Sequence, residues 1–209
     1  MQVMRDYVHV VSSTCHLALV KRENMPKQAD WLRFNAVNFW WLGLSILTII
    51  LDQITKQIAL DKLVFEGNSV NVLPVFSWTL AYNPGAAFSF LSDAGGWQRY
   101  FFTGLASVMS VFFVVWLLRM PKTLKVLPAS IALILGGAVG NLIDRLTTQL
   151  VNYRGEQVHG VVIDFLHVHY QTWNFPVFNL ADCAITLGTI LLLIDTFFLE
   201  KKRHHASSA

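Results

Sequence analysis

Long uncharged apolar runs, separated by shorter polar segments, dominate this chain. Nineteen residues from Tyr100 to Leu118 pass without a charge, and eighteen more do so from Val126 to Ile143. A helix crossing the hydrocarbon of a bilayer needs about 20 apolar residues, so both runs predict spans. Ala36 to Leu60 predicts another, apolar through Leu51 and then carrying Asp52 and Lys56. Phe178 to Leu199 predicts the last, with Asp182 near its start and Asp195 near its end. The expected spans are therefore about 36–60, 100–118, 126–146 and 178–199. Asp195, close to Glu200 and Lys201, reads as a solvated interfacial charge.

The segments between spans have strand character. Val70 to Leu80 is rich in β-branched and aromatic residues and is interrupted by Pro74, and Val158 to Val168 looks similar. A small sheet on the outer membrane surface fits both, with Trp78, Trp97 and Trp173 at the interfacial level. The expected fold class is an integral membrane protein, mainly α, with four transmembrane helices and a small extracytoplasmic β-sheet.

Residues 1–33 do not read as a signal peptide. Val8 to Val20 is mildly apolar but contains His9, Ser12, Ser13 and His16, and no small-residue cleavage pattern follows. We expect a poorly ordered cytoplasmic extension there, with Met25 as an alternative start, then a four-span domain over 34–200 and a basic tail over 201–209.

Composition agrees with this class: 54% of the 209 residues are hydrophobic and 14% charged, against roughly 25% charged in an average soluble domain. Cys15 and Cys183 belong to no metal or redox spacing. The net charge of +3 says less than its placement. Eleven of the sixteen basic residues lie in the N-terminal segment, the turn holding Arg119, Lys122 and Lys125, and the tail. Lysine and arginine favour the cytoplasmic side, so both termini are expected inside and the loops 61–99 and 146–177 outside.

Ionisable residues within spans are expensive. Asp52, Lys56, Asp144, Arg145 and Asp182 would together cost on the order of 10 kcal/mol facing lipid at depth. Asp52 and Lys56 share a helix face, as do Asn141, Asp144 and Arg145, and as do Asn179 and Asp182. The first and third spans run outward with these groups in their last turns, and the fourth runs inward with its pair in the first turn. All three clusters reach one outer level, where Asn83 and Asp164 of the loops can join them.

Other readings exist for each element. Asp52, Lys56, Asp144 and Arg145 also suit a structural ion-pair set, and Asp182 a favourable helix N-terminal charge. Gly136, Gly137 and Gly140 suit close helix packing. His167 and His169 would suit a metal on one strand face, but no clear third ligand accompanies them. Nothing resembles a serine–histidine or serine–lysine arrangement. A small transporter or proton-relay bundle is the competing class, although a relay would distribute ionisable groups through the whole depth.

Five segments, in order, resemble the bacterial lipoprotein signal peptidase (signal peptidase II) family. They are Asp52-Gln-Ile-Thr-Lys56, Asn83-Pro-Gly-Ala-Ala-Phe88, Gly136-Gly-Ala-Val-Gly-Asn-Leu-Ile-Asp-Arg145, Val162-Ile-Asp-Phe165 and Phe178-Asn-Leu-Ala-Asp182. The resemblance covers about residues 36–200. It implies a membrane aspartic endopeptidase that removes signal peptides from diacylglyceryl-modified prolipoproteins, cutting before the lipidated cysteine. By similarity, Asp164 and Asp182 match the catalytic aspartates, and Asn83, Asn141, Arg145 and Asn179 match supporting or substrate-binding residues. Asp52, Lys56 and Asp144 fall in motifs whose role looks structural.

The family fold adds a β-cradle and a short periplasmic helix, which corresponds to loop 61–99. The implied location is the bacterial inner membrane, multi-pass, with the site at the periplasmic face. The implied partners are the lipid-modified substrate and membrane lipids. No nucleic acid, metal or organic cofactor is implied, and the oligomeric state is left open, a monomer being compatible. The chain departs from the family in the seventeen residues from Leu146 to Val162, where the usual connection is shorter. There Asn152-Tyr-Arg-Gly-Glu156 looks like an inserted turn that would extend the outer sheet.

Overall fold

The computed structural model describes residues 38–85, 97–147, 151–153 and 156–200. Among the described residues four helices are long and apolar enough to cross a membrane: α1 (Phe39–Leu63), α2 (Gln98–Arg119), α3 (Val126–Thr147) and α4 (Leu180–Ile194), the last over Leu180–Leu199 with the turn that follows it. A π-helical turn, Asp195–Leu199, continues α4. The strands are β1 (Ser69–Leu73), β2 (Phe76–Asn83), β3 (Val151–Tyr153), β4 (Glu156–Val158), β5 (Val162–Tyr170) and β6 (Trp173–Asn174). The expected segments 1–33 and 201–209 lie outside the described residues, as does 86–96 within the loop 61–99 in which a short periplasmic helix is expected.

Helix α1 inverts the pattern of a soluble helix. Its buried stripe is Ser45, Thr48, Asp52, Lys56, Ala59 and Leu63, while Ile46, Leu47, Ile50, Leu51, Ile54 and Ile58 face outward. Outward apolar and inward polar is the arrangement a lipid solvent selects, because polar groups must find partners inside the bundle. Helix α3 is the hub and packs against α1, α2 and α4. Its glycines permit this: a Cβ on Gly136 would lie 2.9 Å from the Ser45 carbonyl oxygen of α1, and one on Gly137 would meet α4 at Ala181 and Ile185. Gly188 of α4 does the same from the other side, against the Ser130 carbonyl of α3. Small residues at crossings let backbones approach; Ser45 Oγ uses the proximity to donate to the Ala132 carbonyl at 2.8 Å.

The sheet runs in the order β1-β2-β5-β6, with each neighbouring pair antiparallel. The turn between β1 and β2 holds Pro74, which cannot donate to a ladder. A bulge between Trp78 and Ala81 then re-registers β2 so that Ala81 opposes Asp164. Ala59 and Leu63 at the end of α1 pack with Leu80, Ile163 and Phe165, joining sheet to bundle.

Five expectations are corrected. Phe178 and Asn179 precede α4: Phe178 makes an isolated bridge with Leu166 and Asn179 is the helix cap. Helix α1 runs on to Leu63 rather than stopping near Leu60. Within 146–162 the described strands β3 and β4 pair with each other rather than with the outer sheet, and Val158 ends β4 instead of opening β5, with Gly160 between them at φ 68°. Asp195 is 2% exposed rather than solvated, since it continues the face of α4 marked by Ala181, Ala184 and Gly188.

Candidate active site

Asp164 and Asp182 come from different kinds of element and meet around Asn179. Asp182 is the third residue of α4 and forms a capping box: Asn179 Oδ1 accepts from the Asp182 N–H at 3.0 Å, and Asp182 Oδ2 accepts from the Asn179 N–H at 3.3 Å. Such reciprocal caps satisfy two of the orphan donors of a helix start. The amide of Asn179 then donates to Asp164 Oδ1 at 2.6 Å and to Asn141 Oδ1 at 3.0 Å. Asn141 returns a bond to the other carboxylate, Nδ2 to Asp182 Oδ1 at 2.9 Å. Two asparagines therefore tie both carboxylates into one network.

Asp164 is held from the sheet side as well. Asn83 Nδ2 donates to Asp164 Oδ2 at 3.3 Å, while Asn83 Oδ1 accepts from the Gly85 N–H at 2.9 Å. Gly85 sits at φ 114°, where a side chain would be strained. Asp164 is 3% exposed. Burial, reinforced by the charge of Asp182, pushes its carboxyl up to about 8, against the bonds from Asn83 and Asn179 and the charge of Lys56.

A third tier lies beneath. Lys56 Nζ contacts Asp52 Oδ2 and Asp144 Oδ2, each at 2.8 Å, and donates to Asn141 Oδ1 at 2.9 Å. Arg145 donates from Nη1 to the Asn141 carbonyl at 3.2 Å, and its guanidinium lies 5.9 Å from the Phe102 ring centre.

A cavity of about 600 Å³ opens over the two carboxylates and is lined by Asn83, Arg145, Asp164 and Asp182 among others. Its apolar walls come from Phe102, from Phe175–Phe178, and from Cys183, Thr186, Leu187 and Ile190 along α4. A site with two adjoining carboxylates, one favouring its protonated form, can both activate water and supply a proton.

All nine residues singled out from the sequence lie in this one network, directly or through a neighbour. His167 and His169 do not: their rings are 5.2 Å apart, bonded to Thr79 and Ser77 on the sheet. Partial burial and the neighbouring His169 lower the His167 imidazole. Among the described residues no group of three or more His, Cys, Asp or Glu is placed to hold a metal. Sequence reasoning missed Gln53, whose amide reaches Asp144 Oδ1 at 2.9 Å and the Gly140 carbonyl at 3.1 Å. It also missed the cavity wall on α4, although positions 183, 186, 187 and 190 follow Asp182 at helical spacing. Nothing in the sequence marks Phe102.

Comparison with known proteins bears on this arrangement. The family model described as signal peptidase (SPase) II matches residues 44–198. The lipoprotein signal peptidase of Acinetobacter baumannii is 62% identical over 186 residues, covering 89% of this chain and 99% of its own. That of Acinetobacter baylyi is 60% identical over 182 residues, covering 86% and 95%. A solved bacterial membrane enzyme, determined by the in meso method, superposes with a TM-score of 0.60 at 30% identity, over 75% of this chain and 89% of that one.

Proposed function

The chain belongs to the signal peptidase II family, and from that membership we propose that it removes signal peptides from diacylglyceryl-modified prolipoproteins as an aspartic endopeptidase. In this reading Asp164 and Asp182 are the catalytic pair and the cut falls just before the lipidated cysteine. The observation that carries it is the sharing of Asn179 by both carboxylates at the floor of one cavity.

Asp164, favouring its protonated form, supplies the acid. Asp182, both of whose oxygens accept hydrogen bonds, supplies the base. A water between them attacks the scissile carbonyl carbon, giving one proton to Asp182 while Asp164 protonates the carbonyl oxygen. Collapse of the tetrahedral diol breaks the C–N bond: the leaving amine takes the proton from Asp182, and a diol proton returns to Asp164. The pair ends as it began.

Arg145 and Asn83 at the rim fit the role of holding the substrate backbone. The apolar strip from Cys183 to Ile190 suits acyl chains descending between helices. The excess of lysine and arginine at the opposite ends of the spans supports an inner-membrane protein with both termini cytoplasmic and the site at the periplasmic face.

Purified Asp164→Asn and Asp182→Asn variants should each lose cleavage of a synthetic diacylglyceryl prolipopeptide, followed by gel shift, while remaining folded in detergent. A folded variant of either kind with near-normal turnover would overturn the assignment.

A further inference from the structure

Asp52, Lys56 and Asp144 are buried, at 0, 2 and 2% exposure, and the hydrolysis proposed above uses none of them. Their contacts follow a pattern that a simple helix lock does not need. Asp52 Oδ1 accepts from the main-chain N–H of Ala181 at 2.9 Å, the residue immediately before Asp182. Asp144 Oδ2 accepts from the main-chain N–H of Ile163 at 3.1 Å, the residue immediately before Asp164. Lys56 joins the two carboxylates, and its third donor goes to Asn141, which itself holds Asp182. All three N–H groups of the ammonium are thereby used.

We propose that Asp52–Lys56–Asp144 is a positioning clamp that sets the separation of the two reactive carboxylates by gripping the main-chain N–H of the residue before each. The inference rests on the reading of Asp164 and Asp182 as the catalytic pair.

The covalent geometry makes such a grip effective. A peptide unit is planar and stiff, so the N–H of Ile163 or Ala181 cannot shift without carrying its own Cα, which the strand or helix dihedrals then relate to the aspartate that follows. One catalytic residue sits on a strand and the other on a helix, and the Leu166–Phe178 bridge ties that junction two residues after Asp164 and four before Asp182. The clamp spans it through a single ammonium on α1. Gly140 keeps the path open, since a Cβ there would fall 2.6 Å from Asp52 Oδ2. Two carboxylates share a proton because like charges about 3 Å apart cannot both ionise, and a 1 Å misplacement can cost about 100-fold in rate.

Three variants test this: Asp144→Asn, Asp144→Leu, and the apolar triple Asp52→Leu/Lys56→Leu/Asp144→Leu. The triple leaves no unpaired buried charge, the kind of replacement buried ion pairs often tolerate. With a diacylglyceryl prolipopeptide, measured well below each melting midpoint, the triple should fold and keep KM within about threefold while kcat falls about 100-fold. Asp144→Asn retains an acceptor oxygen for Ile163 and should keep more kcat than Asp144→Leu. Full kcat in the folded triple, equal losses in the Asn and Leu variants, or failure of the whole set to fold would each reduce the triad to architecture and overturn the clamp. Asp164→Asn and Asp182→Asn run in parallel separate the two readings: turnover there sinks the dyad, whereas turnover confined to the triad variants sinks only the clamp.

Discussion

Replacing Asp164 by asparagine should cost the protein its activity and raise its stability, with a pH signature. The carboxyl titrates near 3.8 when unperturbed and is pushed up to about 8 in the folded protein, first by burial and then by the Asp182 charge. Between those values the folded state holds a proton that the unfolded chain has released. Stability therefore falls as pH climbs from about 4 and levels off beyond about 8. One proton of difference is about 1.4 kcal/mol per pH unit. At about 2–4 °C per kcal/mol for a chain of this size, the melting midpoint should drop roughly 3–5 °C per unit. Asp164→Asn removes the ionisable group while still offering Asn179 an oxygen, and its loss of the 3.3 Å bond from Asn83 is a small offset. The variant should melt several degrees above the parent at pH 7 and converge with it near pH 4. Asp182→Asn should keep most of the slope, because burial is the larger cause. The fluorescence of the seven tryptophans, scanned against temperature in detergent from pH 4 to 9, reads this directly. Parallel pH slopes for parent and Asp164→Asn would refute the reasoning.

The same titration limits catalysis: kcat/KM should fall as pH rises through about 8, when Asp164 loses the proton it donates, and a profile flat to pH 9.5 would contradict that role. Gly137→Ala forces a Cβ to within 2.7 Å of Ile185 Cγ1 and against the Ala181 carbonyl, so it should lower stability by about 1–3 kcal/mol and depress turnover. Gly43→Ala, with nothing within 4 Å, should do neither and serves as the control in the same melting and cleavage assays. Leu187→Trp places an indole in the cavity wall and should raise KM for the lipidated substrate with little change in melting midpoint; unchanged KM would place the acyl chains elsewhere.

The spans were legible because lipid imposes one strong rule, a run of uncharged residues long enough to cross. The meeting of the polar clusters was legible because helical spacing and span direction together fix the level of Asp52, Asp144 and Asp182. What hydropathy could not see was hydrogen-bond pairing. Phe178 is as apolar as the helix that follows, yet its N–H and C=O bond to Leu166 at 3.0 and 2.8 Å, as in a strand. Asp195 misled for a related reason. A carboxylate beside Glu200 and Lys201 has the composition of an interface, and only the phase of α4 puts it on the buried face. Gln53 stood unremarked between Asp52 and Lys56 because its contact partner, Asp144, lies 91 residues away in sequence.

The position of Asp164 shows why so much polar structure is gathered under this site. A carboxylate 3% exposed on the end of a small sheet is an unfavourable thing to bury. From the sheet it receives the long bond of Asn83. Its shorter bond comes from Asn179, at the mouth of a helix, and Asn179 in turn leans on Asn141 and on Asp182. Asn141 leans on Lys56, which needs Asp52 and Asp144 beside it to be buried at all. Each group in this series is thus satisfied by the next, from Asp164 and Asp182 down to α1. A group removed at the bottom of this series should be felt at the top, in kcat, without touching the cavity wall on α4.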